Sequence, residues 1–186
     1  MKKFFLYFLL FLVLIIAALS VVISIQPGEY RVERSATITG SVTDVFANVN
    51  DFRKWDAWSP WVKIDPNAKM THEGKESGEG AVVKWDGNKD VGKGSMTITE
   101  SKANERIKIK LAFLEPMPGD ADVVFTFREE GEKTVVTWGM TGENGFLGKA
   151  MCMVFDMEKM IGEKYQEGLA NLKTVVETKK KDNDGK

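Results

Sequence analysis

The first pattern along the chain is an unbroken apolar segment near its start. Residues 4–25 contain no charged side chain, and Lys2 and Lys3 precede them. A helix over these 22 residues rises about 33 Å, enough to cross a hydrocarbon core of about 30 Å. We therefore predict a single membrane-spanning helix that, with the Gln26-Pro27-Gly28 linker, occupies residues 1–28.

The same segment permits a second interpretation, a cleaved signal peptide. Ala17, Ala18 and Ser20 supply small residues after a short apolar stretch, as at a cleavage site. Because the apolar run continues beyond that point, past the usual core of about 7–15 residues, we favour an uncleaved anchor over a secreted protein. Lys2 and Lys3 favour a cytoplasmic N-terminus, which places the body on the extracytoplasmic (periplasmic) side of the cell membrane.

After the linker, alternation of apolar and polar residues predicts strands that glycine- and asparagine-containing turns separate. The predicted strands cover residues 30–38, 68–73, 81–85, 95–101, 106–114, 122–129 and 134–141. Parallel pairing needs a crossover of a dozen or more residues, and the links after residue 68 are shorter. These strands are therefore expected to form an antiparallel meander.

Helical spacing follows the first strand and returns at the end of the chain. Ser41 with Asp44 three residues later predicts the start of a short amphipathic helix. A second short helical or turn segment carries three tryptophans, and a long helix from about Leu147 to Thr178 has an apolar residue at every third or fourth position. That continuous stripe must lie against the sheet, which predicts an α+β domain over residues 29–178 and a charged, disordered tail over residues 179–186.

The sheet face toward the long helix is predicted to be almost wholly apolar, with His72 as its polar point. Methionines crowd the first turns of that helix, and such flexible side chains suit either core packing or a cavity for an apolar ligand. We leave both interpretations open. The candidate ligand contacts are His72, Trp85, Met96, Phe113, Trp138, Met140, Met151, Phe155 and Met157.

The charge balance and the single cysteine and histidine restrict the partners and cofactors that the chain can bind. The 26 basic and 27 acidic residues give a net charge of −1, which argues against a nucleic-acid partner. Setting aside Lys2, Lys3 and the tail beyond Thr178 leaves 20 basic and 25 acidic residues, a net charge of −5 that anionic lipids repel. One Cys and one His build neither an internal disulfide nor a zinc site, so we predict no metal, no cofactor and no catalytic residue.

Several short segments together resemble START-like proteins of the SRPBCC superfamily, in the polyketide cyclase/dehydrase and lipid-transport group. The segments are residues 45–52, 55–61, 85–87, 92–94, 134–138 and 168–173, within a match from about Glu29 to Glu177. The resemblance implies a helix-grip fold, in which a curved antiparallel sheet surrounds a long C-terminal helix and a deep hydrophobic cavity. The membrane segment is additional to the family pattern.

The resemblance leaves function open, because this fold hosts carriers, cyclases and cochaperones. Our leading hypothesis is a membrane-anchored, non-enzymatic module that binds a lipid or another hydrophobic small molecule between sheet and helix. One alternative is a polyketide cyclase/dehydrase-like enzyme that uses the same cavity with His72 as its polar group. Another is a membrane-associated interaction module in which exposed Trp58 or Trp61 contacts a partner.

Overall fold

A single antiparallel sheet of seven strands forms one layer of the body. The structure is a computed structural model that describes residues 2–184. Its strand order is β1-β7-β6-β5-β4-β3-β2, so the meander from β2 to β7 is confirmed and β1 pairs with β7. The strands are β1 (Glu29–Thr39), β2 (Lys69–Gly74), β3 (Ala81–Asp86), β4 (Lys93–Lys102), β5 (Arg106–Glu115), β6 (Gly119–Glu130) and β7 (Lys133–Glu143).

Within residues 2–184, four α-helices and two short 3₁₀ helices accompany the sheet. The helix start predicted at Ser41 is confirmed, because its Oγ accepts a hydrogen bond of 3.1 Å from the Asp44 amide. The 3₁₀ helices Phe52–Ala57 and Pro60–Lys63 carry the tryptophan-rich segment. The α-helices are α1 (Lys2–Ser24), α2 (Val42–Val49), α3 (Phe146–Val154) and α4 (Met157–Asp184).

The prediction of one continuous helix from Leu147 to Thr178 is wrong, because the chain breaks into α3 and α4. Phe155 has extended backbone angles, φ −118° and ψ 136°. Asp156 then starts a new helix by accepting a hydrogen bond of 3.0 Å from the Lys159 amide at its Oδ1. Helix α4 continues to Asp184, through most of the segment predicted as a disordered tail, and the last two residues lie outside the described part of the chain.

The hydrophobic core lies between one face of the sheet and the helices. Helix α4 packs mainly against β1. Its buried hydrophobic side chains are Tyr165, Leu169, Leu172 and Val176, which all belong to the predicted apolar stripe. The opposing sheet residues include Val83, Ile98, Ile107, Ile109, Val123, Phe125 and Val136, which all belong to the predicted inward face. The α+β helix-grip architecture is therefore confirmed.

An aromatic cluster fills the middle of this layer. The Trp138 ring stacks on Tyr165 with centroids 3.9 Å apart and on Phe125 at 4.9 Å. Trp55 and Trp58 pack edge-on against Trp138 at 6.1 and 5.6 Å. Trp58 is only 1% exposed, which contradicts the hypothesis that this residue docks a partner from the surface.

Gly168 brings α4 close to this aromatic cluster. A Cβ atom at this position would lie 2.9 Å from Cζ3 of Trp138 and 3.1 Å from Cδ of Pro60, both closer than ordinary van der Waals contact. The glycine in the predicted helix therefore has a packing reason, since any larger residue would push the helix away from the ring.

Helix α1 is exposed along its length and stands apart from the core. It contains a 22-residue apolar segment, Lys3–Ser24, with a mean hydropathy of 3.1 and no buried residue in that span. Both a membrane span and a signal sequence have these properties.

Candidate ligand-binding cleft

A cleft of about 1310 Å³ opens at the end of the sheet where β1 begins and β7 ends. Its lining comes from residues 26–27, 29–32 and 143–145, from Phe113 and Met140, from the turns at 89–91 and 115–120, and from α3 with the start of α4. The break between α3 and α4 lies at this site, because α3, Phe155 and the start of α4 all line the cleft. Ligand sites commonly measure about 300–1,000 Å³, so the cleft is large enough for a small molecule.

The lining is mostly apolar from the interior to the mouth. Val32 and Met140 are the most buried members, at 2% and 4% exposure. Phe113 and Phe155 are 37% and 51% exposed and lie where the cleft meets solvent. The remaining apolar lining includes Met117, Phe146, Leu147, Met151, Met153, Val154, Met157 and Ile161.

Of the nine ligand contacts predicted from the sequence, the structure brings five together at this cleft. They are Phe113, Met140, Met151, Phe155 and Met157. Two come from the predicted inward face of the sheet and three from the segment predicted as the start of the long helix. The other four lie elsewhere, for different reasons.

His72 does not occupy the interior position that the sequence analysis gave it. It pairs with Val83 and shares the inward side by register, but its side chain is exposed. The reason is the strand order, which puts β2 at one edge of the sheet while α4 packs at the opposite edge, against β1.

Trp85, Met96 and Trp138 pack in or against the core instead of lining the cleft. Trp85 is half-buried behind Phe113, with ring centroids 6.3 Å apart, and its Nε1 donates a hydrogen bond of 3.3 Å to the Val91 carbonyl. Met96 is a half-buried contact of the core. Trp138 belongs to the aromatic cluster, which occupies the space predicted to be part of a cavity.

A small polar group interrupts the apolar lining. Asn144 Nδ2 lies 3.4 Å from Cys152 Sγ, to which it donates, and Tyr30 lies beside the same thiol. Burial and the neighbouring Cys152 raise the pKa of the Tyr30 phenol, so it stays neutral at physiological pH. These groups offer hydrogen bonds to a neutral polar group of a ligand.

The charged residues of the lining are mainly acidic. Seven are Asp or Glu and three are Lys or Arg. Two of the acidic side chains have basic partners, because Glu158 pairs with Arg34 at 2.8 Å and Glu115 with Lys93 at 3.5 Å. The remaining excess of acidic side chains gives the cleft mouth a negative electrostatic potential, which disfavours an anionic ligand. Within residues 2–184 there is no group of three or more side chains that could hold a metal ion.

Sequence reasoning missed two parts of the lining. Phe146 lies just before the predicted long helix, and Leu147 and Val154 were assigned to that helix but not to the ligand contacts. Met117 lies in the β5–β6 turn, which was left as a connection. A signal was present in both places. Met117 is an apolar residue between Pro116 and Pro118 in a turn, and α3 is apolar on more than one side.

The fold and the cleft together define a helix-grip protein with an apolar cleft open at one end. The chain belongs to the polyketide cyclase / dehydrase and lipid transport family, whose model matches residues 29–177. This confirms the resemblance seen in the sequence. A comparison with curated proteins found none that matches the chain.

Solved structures share the fold at low sequence identity. DynU16, from the dynemicin biosynthetic locus, is 16% identical with a TM-score of 0.56, and the alignment covers 80% of this chain but 47% of DynU16. The chain thus spans about half the length of that protein. A Chromobacterium violaceum protein is 16% identical with a TM-score of 0.55, and the alignment covers 82% of this chain and 99% of that one. Aha1 from Colwellia psychrerythraea, solved as a dimer, is 14% identical with a TM-score of 0.57, and the coverage is 79% and 96%.

Proposed function

We propose that this protein is a membrane-anchored module that binds a lipid or another hydrophobic small molecule in the cleft. One observation carries the proposal: an apolar opening of about 1310 Å³ lies next to the C-terminal end of a helix long and apolar enough to span a bilayer. The family description, which includes lipid transport, supports the same ligand class.

The charge at the cleft mouth restricts which head groups the ligand can carry. An apolar body would contact Met140, Met151 and Phe155, while its polar end would lie among acidic side chains and the Tyr30 phenol. Removing a carboxylate or a phosphate from water beside uncompensated acidic groups is unfavourable. We therefore expect a ligand whose head group is neutral or positively charged.

In this proposal α1 is an uncleaved anchor, and the body lies on the extracytoplasmic side. Tethering holds the cleft at a high effective concentration near the bilayer, where hydrophobic ligands partition. Glu132 is exposed in the β6–β7 turn, away from the cleft, so Glu132→Cys in a Cys152→Ser background reports the orientation. A membrane-impermeant maleimide should label this cysteine in intact spheroplasts. Labelling only after lysis would contradict the proposed orientation.

Native mass spectrometry of the full-length chain, released gently from its own membranes, tests the binding function. The intact mass after denaturation shows whether residues 1–20 have been removed. We expect the native spectrum to contain an additional discrete mass that denaturation releases and that lipid analysis identifies as a hydrophobic molecule. A spectrum of bare protein from freshly prepared membranes would refute the proposal.

A further inference from the structure

We propose that α3 and the β5–β6 turn rest on the same bilayer that α1 crosses, so that the cleft opens onto the lipid surface. We call this surface the docking face and define it by α3, Phe155 and Met117. The inference rests on the proposed membrane anchor and extends it, since it gives the body a fixed orientation on the membrane.

Helix α3 lacks the packing that an apolar helix in a soluble body normally has. None of its nine residues is buried, although most are apolar. Phe146 is 47% exposed, Leu147 65% and Val154 75%. Met117 of the β5–β6 turn, which lines the same cleft, is 39% exposed. Exposed apolar side chains that surround the same cleft mark a candidate interaction site.

The position of the docking face identifies the bilayer as its occupant. Lys149 Nζ of α3 lies 3.3 Å from the carbonyl oxygen of Ser24, the last residue of α1, and donates a hydrogen bond to it. The Asn144 amide donates to the Gly28 carbonyl at 2.8 Å, which ties the entrance of α3 to the linker. Helix α3 therefore lies at the level where the spanning helix ends.

Chain length reinforces this placement. Residues 25–28 are the whole connection between α1 and β1, and four residues reach at most about 14 Å when extended. The polar interfacial layer on each side of the hydrocarbon core is about 5–8 Å thick. Because α3 also contacts α1, its exposed apolar side chains lie within reach of lipid, whereas a soluble protein partner would have to enter the narrow space between body and membrane.

The contact is apolar and does not depend on anionic lipid. The body carries a net charge of −5 over residues 4–178, and the lining of the cleft is also mainly acidic. Electrostatic attraction to phosphatidylglycerol or to other anionic lipids is therefore excluded as the driving force. The driving force is instead the insertion of apolar side chains into the interfacial layer, with contributions from Leu147, Val154 and Phe155.

Site-directed spin labelling of the full-length chain in phosphatidylcholine nanodiscs tests this orientation. In a Cys152→Ser background, Val154→Cys places a nitroxide on the docking face. Glu132→Cys places a control label in the exposed β6–β7 turn, at the far end of strands about 30 Å long. Collision with oxygen reports lipid, and collision with a water-soluble nickel chelate reports solvent.

We expect the oxygen-to-nickel accessibility ratio at Val154 to exceed that at Glu132 several-fold. Adding phosphatidylglycerol should leave the ratio unchanged, and Leu147→Glu should move it toward the value at Glu132. Equal, water-like ratios at the two positions would overturn the docking face, and so would a ratio that rises only with phosphatidylglycerol. In the mass spectrometry experiment, an intact mass that lacks residues 1–20 would instead refute the uncleaved anchor. A native spectrum without bound ligand, combined with a lipid-exposed label at position 154, would refute ligand binding and leave the docking face in place.

Discussion

Gly168→Ala tests whether the space between α4 and the middle of the sheet is filled. The new methyl group would lie 2.9 Å from the Trp138 ring and 3.1 Å from Pro60. The Trp138 ring cannot move aside easily, because Tyr165 and Phe125 stack on it and Trp58 packs against its edge. Ala stabilises a helix interior by about 1 kcal/mol over Gly, whereas overpacking a fixed core costs about 1–3 kcal/mol. We expect a net loss of about 1 kcal/mol in the free energy of unfolding.

Gly162→Ala is the matched control on the same helix. Its methyl group would contact the Arg34 guanidinium, the far end of a flexible side chain that is 24% exposed and can turn toward solvent. The helix gains about 1 kcal/mol, and disturbing the ion pair of Arg34 with Glu158 costs about 0–1 kcal/mol. This variant should therefore be neutral or slightly stabilised.

Urea unfolding of the full-length chain in detergent, followed by tryptophan fluorescence, measures both variants. All five tryptophans lie between residues 55 and 138, so the signal reports the body and not α1. We expect the urea midpoint of Gly168→Ala to be lower than that of Gly162→Ala. Equal stabilisation of the two variants would refute a filled interior, because it would mean that Trp138 has free space beside it.

The cleft, the buried Tyr165 and the helix break at Asp156 can each be tested by substitution. Met151→Trp should reduce the amount of hydrophobic ligand in native mass spectra several-fold by filling the cleft, while Met160→Trp, which lies outside the lining, should not. Burial, followed by the neighbouring Tyr30, raises the pKa of Tyr165, so the folded state keeps a proton that the unfolded state loses above pH ~10. The free energy of unfolding should therefore fall as the pH rises above that value, and it should fall less in Tyr165→Phe. Urea midpoints of both proteins at pH 9 and pH 11 measure the difference. Asp156→Ala should lower the urea midpoint by removing a cap that contributes about 1 kcal/mol.

The sequence predicted most of the fold because the fold depends on local patterns. Alternation located all seven strands to within a few residues, and the side chain of Ser41 caps α2 as its spacing with Asp44 indicated. The links between strands are short, so the meander followed from chain length alone. The family resemblance added the helix-grip arrangement.

The site was harder to predict because it depends on long-range order. Alternation placed His72 and Trp138 on the same face, but only the strand order shows that one lies at an open edge and the other under α4. The break at Phe155 was missed because the apolar spacing continues across it. Asp156 was a possible cap, yet nothing local shows that its side chain bonds the Lys159 amide and ends the continuous helix.

An experimental structure of the full-length chain, prepared in nanodiscs made from its native lipids, would show whether the cleft holds a ligand. We expect elongated density that protein atoms do not explain, lying in the cleft against Met140, Met151 and Phe155, with the open end of the cleft toward the lipid. A structure in which α3 packs onto the β5–β6 turn would contradict the proposed binding function, because protein side chains would then close the cleft and leave no space for a ligand.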